Sequence, residues 1–254
     1  MRSLTFRWES ELSESFYKSA EPALWSRQRA GTWKRVMESS CSEGRADIVW
    51  GYFAPGHCPS QYSKHAILLQ NPTASRILAF TLRHRAARFE SDLQRCVGVT
   101  APVFRKWLRE LLASGLIVKT KKDTIKAGLI RSIPNVEICS FELKLTNWQR
   151  ALYQAIRYRT FSHRVFVVMP YDAIRMATAN KQAFEKANVG LIAHDKHCGS
   201  EVLIRPQKRS PQSAQRAIMA LGMLSEQPST NLPRYGTIQL LPTTVPDDLI
   251  GSLC

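Results

Sequence analysis

Residues 136–170 read VEICSFELKLTNWQRALYQAIRYRTFSHRVFVVMP. The stretch predicts a strand over 136–145, a helix over 147–161 and an apolar strand over 164–170. A further helix over 172–187 and the strand VGLIAHD at 189–195 continue the alternation. Strand–helix–strand–helix–strand order points to an α/β layer around a partly parallel sheet. Alternate residues of a strand share a face, so Glu142 and Lys144 point the same way.

Working outward to the amino-terminal side, residues 10–29 predict an amphipathic helix, with Leu12, Phe16, Ala20 and Leu24 spaced by four. A short strand over 33–37 follows, then a better one at 46–53, ADIVWGYF, where Ile48, Val49, Trp50, Tyr52 and Phe53 suit a pleated surface. If that strand lies beside 136–145, Asp47 and Glu142 can converge on one divalent cation. Two carboxylates, a backbone carbonyl and waters suit Mg²⁺, or Mn²⁺ in its place. Lys144 could then lower the pKa of a nucleophilic water or stabilise charge developing on a phosphate.

Between these strands the rhythm changes. Residues 74–85 predict a helix capped by Thr73, residues 89–97 a second ended by Gly98, and residues 101–114 a third capped by Thr100 and ended by Gly115. LIVKT and KKDTIKAGL then read as a lysine-rich hairpin. Phe104, Leu108, Leu111 and Leu112 seat the third helix on the other two. Its opposite face carries Val103, Arg105, Lys106 and Arg109, and Lys119, Lys121 and Lys122 follow on the hairpin.

Composition agrees with a polyanionic partner. Lys and Arg number 36 against 20 Asp and Glu, a formal net charge of +16, and neutralising phosphates releases counterions. Residues 1–10 lack an apolar h-region and no run approaches the roughly 20 apolar residues of a membrane helix. Six scattered cysteines with no close pair read as reduced thiols. The expectation is a cytoplasmic protein, nucleoid-associated if bacterial. A zinc site from His57-Cys58 and His194-x-x-His197-Cys198 matches no strong spacing, and Trp25, Trp33 and Trp50 read as core or sheet residues.

Residues 90–117, ESDLQRCVGVTAPVFRKWLRELLASGLI, resemble the winged helix-turn-helix superfamily, through Leu93, the Gly98-Val99-Thr100 turn, the apolar spacing of the third helix and Gly115-Leu116-Ile117. The resemblance implies that Thr100, Val103, Arg105, Lys106 and Arg109 enter a major groove and that Lys119, Lys121 and Lys122 touch phosphate. Asp47 on one strand and Glu142-x-Lys144 on another resemble the motif of the restriction-endonuclease superfamily. By that resemblance Asp47 and Glu142 are metal ligands and Lys144 the catalytic lysine. Gln154-x-x-x-Tyr158 is similar to the additional motif of RecB-like nucleases, which lies beside the active site. Glu9, with Glu11 and Glu14 as rivals, is similar to the first-helix glutamate of archaeal Holliday-junction resolvases. Ala46 stands where the superfamily usually has proline. The 95 positions from Asp47 to Glu142 are far more than a hairpin needs, and the winged helix fills them.

The reading is therefore an α/β restriction-endonuclease-like core, a mixed sheet flanked by helices, with an inserted mainly α winged helix-turn-helix. Residues 1–59 and 131–199 form the core, 60–130 the insertion and 200–254 a proline-punctuated extension. The function implied is a Mg²⁺-dependent nuclease acting on duplex or branched DNA, in phage defence, mobile-element biology or repair. The alternative is a non-catalytic DNA-binding regulator, or a subunit of a larger nucleoprotein complex, that uses a nuclease-like scaffold. The extension offers a surface for a protein partner.

Overall fold

The computed structural model describes residues 6–21, 31–41, 44–83, 87–128 and 136–226. Its centre is a six-stranded mixed sheet of order β1-β2-β5-β6-β7-β8. Strands β1 (Thr32–Cys41) and β2 (Gly44–Phe53) form an antiparallel pair, and β2 runs antiparallel to β5 (Val136–Leu143). Strands β5, β6 (Arg164–Pro170) and β7 (Gly190–Asp195) are parallel, and β8 (Gly199–Ile204) returns antiparallel at the edge. Every residue of β5 is buried, as expected of a strand covered on both faces.

The period of two sorts the side chains into two apolar clusters. Ile138, Val165, Val167, Leu191 and Ala193 face one layer, completed by helix α7 (Trp148–Arg157). Cys139, Phe141, Phe166, Val168 and Ile192 face the other, covered by Leu12 and Phe16 of helix α1 (Glu9–Ser19). The chain is thus a mixed sheet flanked by helices. The first helix stops at Ser19, and residues 22–30 of the longer helix read from the sequence, Leu24 and Trp25 among them, lie outside the described residues.

Between β2 and β5 lie α2 (Ser60–Ser63), α3 (Ala66–Gln70), α4 (Pro72–Arg83), α5 (Glu90–Val97), α6 (Ala101–Ala113) and the hairpin β3 (Ile117–Lys119) and β4 (Ile125–Ala127). The chain departs after Phe53 and re-enters at Val136, which are register partners. Entry and exit are therefore neighbours. Ile77, Leu78, Leu93, Val97, Phe104, Leu108 and Leu111 are buried together, and Arg88 makes a single bridge to Ile125 beside the hairpin. The caps differ from those read in the sequence. Asn71, not Thr73, accepts the N–H groups of Thr73 and Ala74 at the start of α4. Thr100 precedes α6 without a side-chain cap. Gly98 does end α5, in the left-handed region at φ 68°.

Residues 172–187 form two short helices rather than one, α8 (Arg175–Ala179) and α9 (Lys181–Ala187), interrupted at Asn180. The larger difference lies after residue 199. Prolines mark that stretch as an extension with one helix, over about 213–224; the helix is there as α10 (Ala214–Glu226), but it enters the core, and β8 closes the sheet. Ile218, Leu221 and Leu224 are buried, and α10 packs on both α3 and α4. A Cβ on Gly222 would sit 2.9 Å from Leu69 Cβ and 3.0 Å from the Ala66 carbonyl oxygen, so glycine permits that approach. Residues 227–254 lie outside the described residues. Among those described, no helix is long and apolar enough to cross a membrane.

Candidate active site

The site forms where β2 and β5 run side by side. Ile48 pairs with Phe141, so the next step of the same antiparallel register sets Asp47 opposite Glu142. Asp47 also ties down the strand end: its Oδ2 accepts the Leu143 N–H at 2.7 Å. Lys144 follows immediately, its N–H donating to the Val168 carbonyl of β6 at 3.1 Å.

Glu142 is 1% exposed. Its Oε2 accepts the Tyr158 hydroxyl at 2.5 Å, and its Oε1 lies 3.3 Å from Lys144 Nζ. Burial first, and then the neighbouring charge of Asp47, raise the Glu142 carboxyl to about 7. Tyr158 and Lys144 pull the other way. A buried carboxyl beside a second carboxylate favours a proton or a cation at that place.

Lys144 Nζ also donates to Glu9 Oε2 at 3.0 Å. Burial disfavours its charge, but Glu9, Glu142 and Asp47 together outweigh burial and hold the ammonium above the ordinary lysine range. Glu9 is the first-helix glutamate that reaches the site. Glu11 instead accepts the Arg7 N–H at 2.8 Å, and Glu14 pairs with Lys18 at 2.6 Å. The local sequence leaves the three equivalent; only the crossing of α1 over the end of β5 separates them.

Tyr158, 1% exposed, and Gln154 stand one turn apart on α7 and its 3₁₀ extension (Tyr158–Thr160). Asn147 caps the start of α7, its side chain accepting the Arg150 N–H at 2.9 Å, which fixes the helix directly after Lys144. Gln154 is half-buried, and its Oε1 is enclosed with no hydrogen-bond partner among the described residues. The fold thus gathers Glu9, Asp47, Glu142, Lys144 and Tyr158 into contact, with Gln154 on the same helix as Tyr158.

The donor set is acidic oxygen. No cluster of three or more His, Cys, Asp or Glu among the described residues could hold a metal. A cation here would have Asp47 and Glu142 as its side-chain ligands, with carbonyl, water or phosphate oxygens completing the set, which suits a hard divalent ion. His194 belongs to the core. Its ring nitrogens meet Ser15 Oγ at 3.0 Å and Ser200 Oγ at 2.8 Å, and its ring stacks on Phe6. Cys58 Sγ contacts Ser60 Oγ. Trp33 and Trp50 are buried in the sheet.

On the second candidate surface, Thr100, Val103, Arg105, Lys106 and Arg109 are all exposed along α6. Lys119, Lys121 and Lys122 are exposed on the hairpin. Lys106 Nζ sits 5.1 Å from the centre of the Trp107 ring, and Lys119 Nζ lies 2.6 Å from Asp123 Oδ1. Every side chain that the sequence assigns to this face reaches solvent, and the buried Phe104, Leu108 and Leu111 hold the helix from behind.

One charged cluster is only half visible in the sequence, where Arg205, Lys208 and Arg209 read as a solvated basic run. Glu137, 3% exposed on β5, is pinned by Arg164 at 2.7 Å and Lys208 at 2.9 Å. Burial alone would raise its carboxyl, but the two cations outweigh burial and hold it below the ordinary range. Nearby, His163 Nδ1 accepts the Ile138 N–H at 3.0 Å. These contacts fasten the segment after β8 to the sheet. No protein-family model matches this chain, and neither a curated protein nor a solved structure matches it.

Proposed function

We propose that the chain is a divalent-metal-dependent DNA nuclease of the restriction-endonuclease type, its core interrupted by a winged helix-turn-helix. One observation carries this reading. Asp47 and Glu142, remote in sequence, meet across β2 and β5 beside Lys144, with Tyr158 on one Glu142 oxygen and Glu9 on the lysine.

The residues fit a magnesium or manganese ion. Glu142 sits near neutrality because burial and Asp47 crowd its charge, and a divalent cation relieves both. Asp47 and Glu142 would hold it. Bound there, such an ion polarises a phosphate oxygen and lowers the pKa of a bound water.

The protein's own groups have separable tasks. Lys144 is held protonated, so at neutral pH it is a poor base and a good fixed positive charge. Its work is to neutralise charge on the phosphate as a P–O bond breaks. Glu9 aims that ammonium, Tyr158 orients the Glu142 carboxylate, and Asp47 locks the end of β5. The exposed cations of α6 and the β3–β4 hairpin hold the duplex while the core cuts.

The test is incubation with linear, circular and branched DNA, in Mg²⁺, in Mn²⁺ and in chelator. Cleavage should require metal. It should fall at least about 100-fold in Asp47→Ala, Glu142→Ala and Lys144→Ala, while DNA affinity in chelator persists. Wild-type cutting by all three variants would refute the site. A wild type that binds DNA and never cuts would instead establish a non-catalytic regulator.

A further inference from the structure

Helix α7 has two faces, and catalysis uses only one. Ala151, Leu152, Ala155 and, beyond its end, Tyr158 face the sheet. The opposite face exposes Arg150, Tyr153, Ile156 and Arg157. Tyr153 is 68% exposed, and among the described residues no side chain bonds its hydroxyl. Trp148 at the start of the same helix is used for packing, its ring 5.9 Å from Phe184. An aromatic ring left in water on a helix already seated by its inner face is not needed for the fold.

Its neighbours give the surface a sign. Helix α7, WQRALYQAIR, contains no acidic residue. Arg150, Tyr153 and Arg157 stand at i, i+3 and i+7, one line along the helix. The line runs about 10 Å, with the ring between two guanidinium groups. Met176, 61% exposed, and Arg175, also exposed, lie on α8, which packs against α7.

We propose that this outer face is a platform for an unpaired DNA strand. Tyr153 stacks on one base, and Arg150 and Arg157 hold the phosphates on either side. The proposal rests on the nuclease reading, since the inner face of the same helix delivers Tyr158 to Glu142. Two arguments select this occupant. The cationic rim with no acid on α7 fits a polyanion better than an ordinary protein surface. A lone exposed ring can use a base's π-face only where that base is out of a duplex stack. The substrate class that follows is DNA with a single-stranded segment at the cleavage site, such as an overhang, a flap or a branch.

The test uses the full chain in chelator, so that binding is read without cutting. Fluorescence anisotropy compares a blunt duplex with the same duplex bearing a single-stranded overhang. A 2-aminopurine in the overhang reports stacking. For Tyr153→Ala we expect about tenfold weaker binding of the overhang substrate, restored 2-aminopurine fluorescence and unchanged blunt-duplex affinity. Tyr153→Phe should behave as wild type. Arg150→Ala/Arg157→Ala should weaken overhang binding and flatten its salt dependence by about 1.4 units, roughly 0.7 for each single-strand phosphate contact. Wild-type overhang affinity in both alanine variants, or an equal loss on blunt duplex, would overturn the proposal, the first result pointing to a protein partner. A wild type that cuts nothing would sink the nuclease reading while leaving these binding results to decide the platform.

Discussion

Replacing Tyr158 by phenylalanine removes a single oxygen from the site, and its effect can be worked through Glu142. The hydroxyl donates to Glu142 Oε2 at 2.5 Å inside a buried pocket. The Glu142 carboxyl already sits at about 7 through burial and the charge of Asp47, with Tyr158 among the groups restraining it. A hydrogen bond to an ionised buried acceptor is worth about 1.5–3 kcal/mol. At about 1.4 kcal/mol per pKa unit, its loss raises the Glu142 pKa by roughly one to two units. Near neutral pH the carboxylate would then be mostly protonated, and a metal must displace that proton. We expect the Mg²⁺ concentration for half-maximal cleavage to rise about 10- to 100-fold in Tyr158→Phe. The rate at saturating metal and alkaline pH should return close to wild type, because Glu142 ionises there unaided. The assay is cleavage rate against Mg²⁺ at neutral and alkaline pH and fixed ionic strength. An unchanged half-saturating concentration at both pH values would refute the coupling of Tyr158 to a metal-binding Glu142. A loss that neither metal nor pH restores would place the hydroxyl on the reacting phosphate instead.

Lys119, Lys121 and Lys122 changed together to alanine should flatten the slope of log K against log salt by about three units, one for each phosphate contact. Arg105→Ala/Arg109→Ala should relax sequence preference, and unchanged binding in both variants would assign this face to a protein partner. His163 titrates near 4 in the folded chain against an ordinary 6.5, because burial and then the charge of Lys208 disfavour the imidazolium. The unfolded chain therefore takes up that proton first as pH falls. About 3 kcal/mol of stability should be lost between pH 6.5 and 4, and thermal denaturation should show a shallower acid loss in His163→Asn. Glu142 has the opposite sign in chelator. Its raised pKa makes folding less favourable as pH climbs from 4.5 towards 7, so Glu142→Gln should melt above wild type at neutral pH. Leu224→Ala, at a residue 1% exposed that lies against Gly51 of β2, should cost about 2–5 kcal/mol by chemical denaturation. A loss under 1 kcal/mol would show that α10 is not part of the core.

The strands of 136–195 and the helix after Lys144 were legible because their signals are local: an apolar strand buried on both faces, and a helix begun by Asn147. So were the side chains of the site, since Glu142 and Lys144 share a face by the period of two alone. What brings Asp47 to them is a register, and register belongs to pairs of strands rather than to either sequence. The same limit governs Glu9. Three glutamates within six residues are indistinguishable until the crossing of α1 sets one of them on Lys144.

The stretch after residue 199 misleads for a different reason. Proline is read as punctuation, yet Pro206 and Pro211 lie in the connection between β8 and α10, where no ladder needs their missing N–H. The apolar positions of α10 are then spent on α3 and α4, elements on the other side of the break that the sequence draws at residue 60. The segment between β2 and β5 is therefore an insertion in chain order that shares its apolar packing with the core. That sharing gives the proposed nuclease a physical consequence. The exposed cations of α6 are carried, through α4 and α10, on this shared apolar packing rather than on a loose tether.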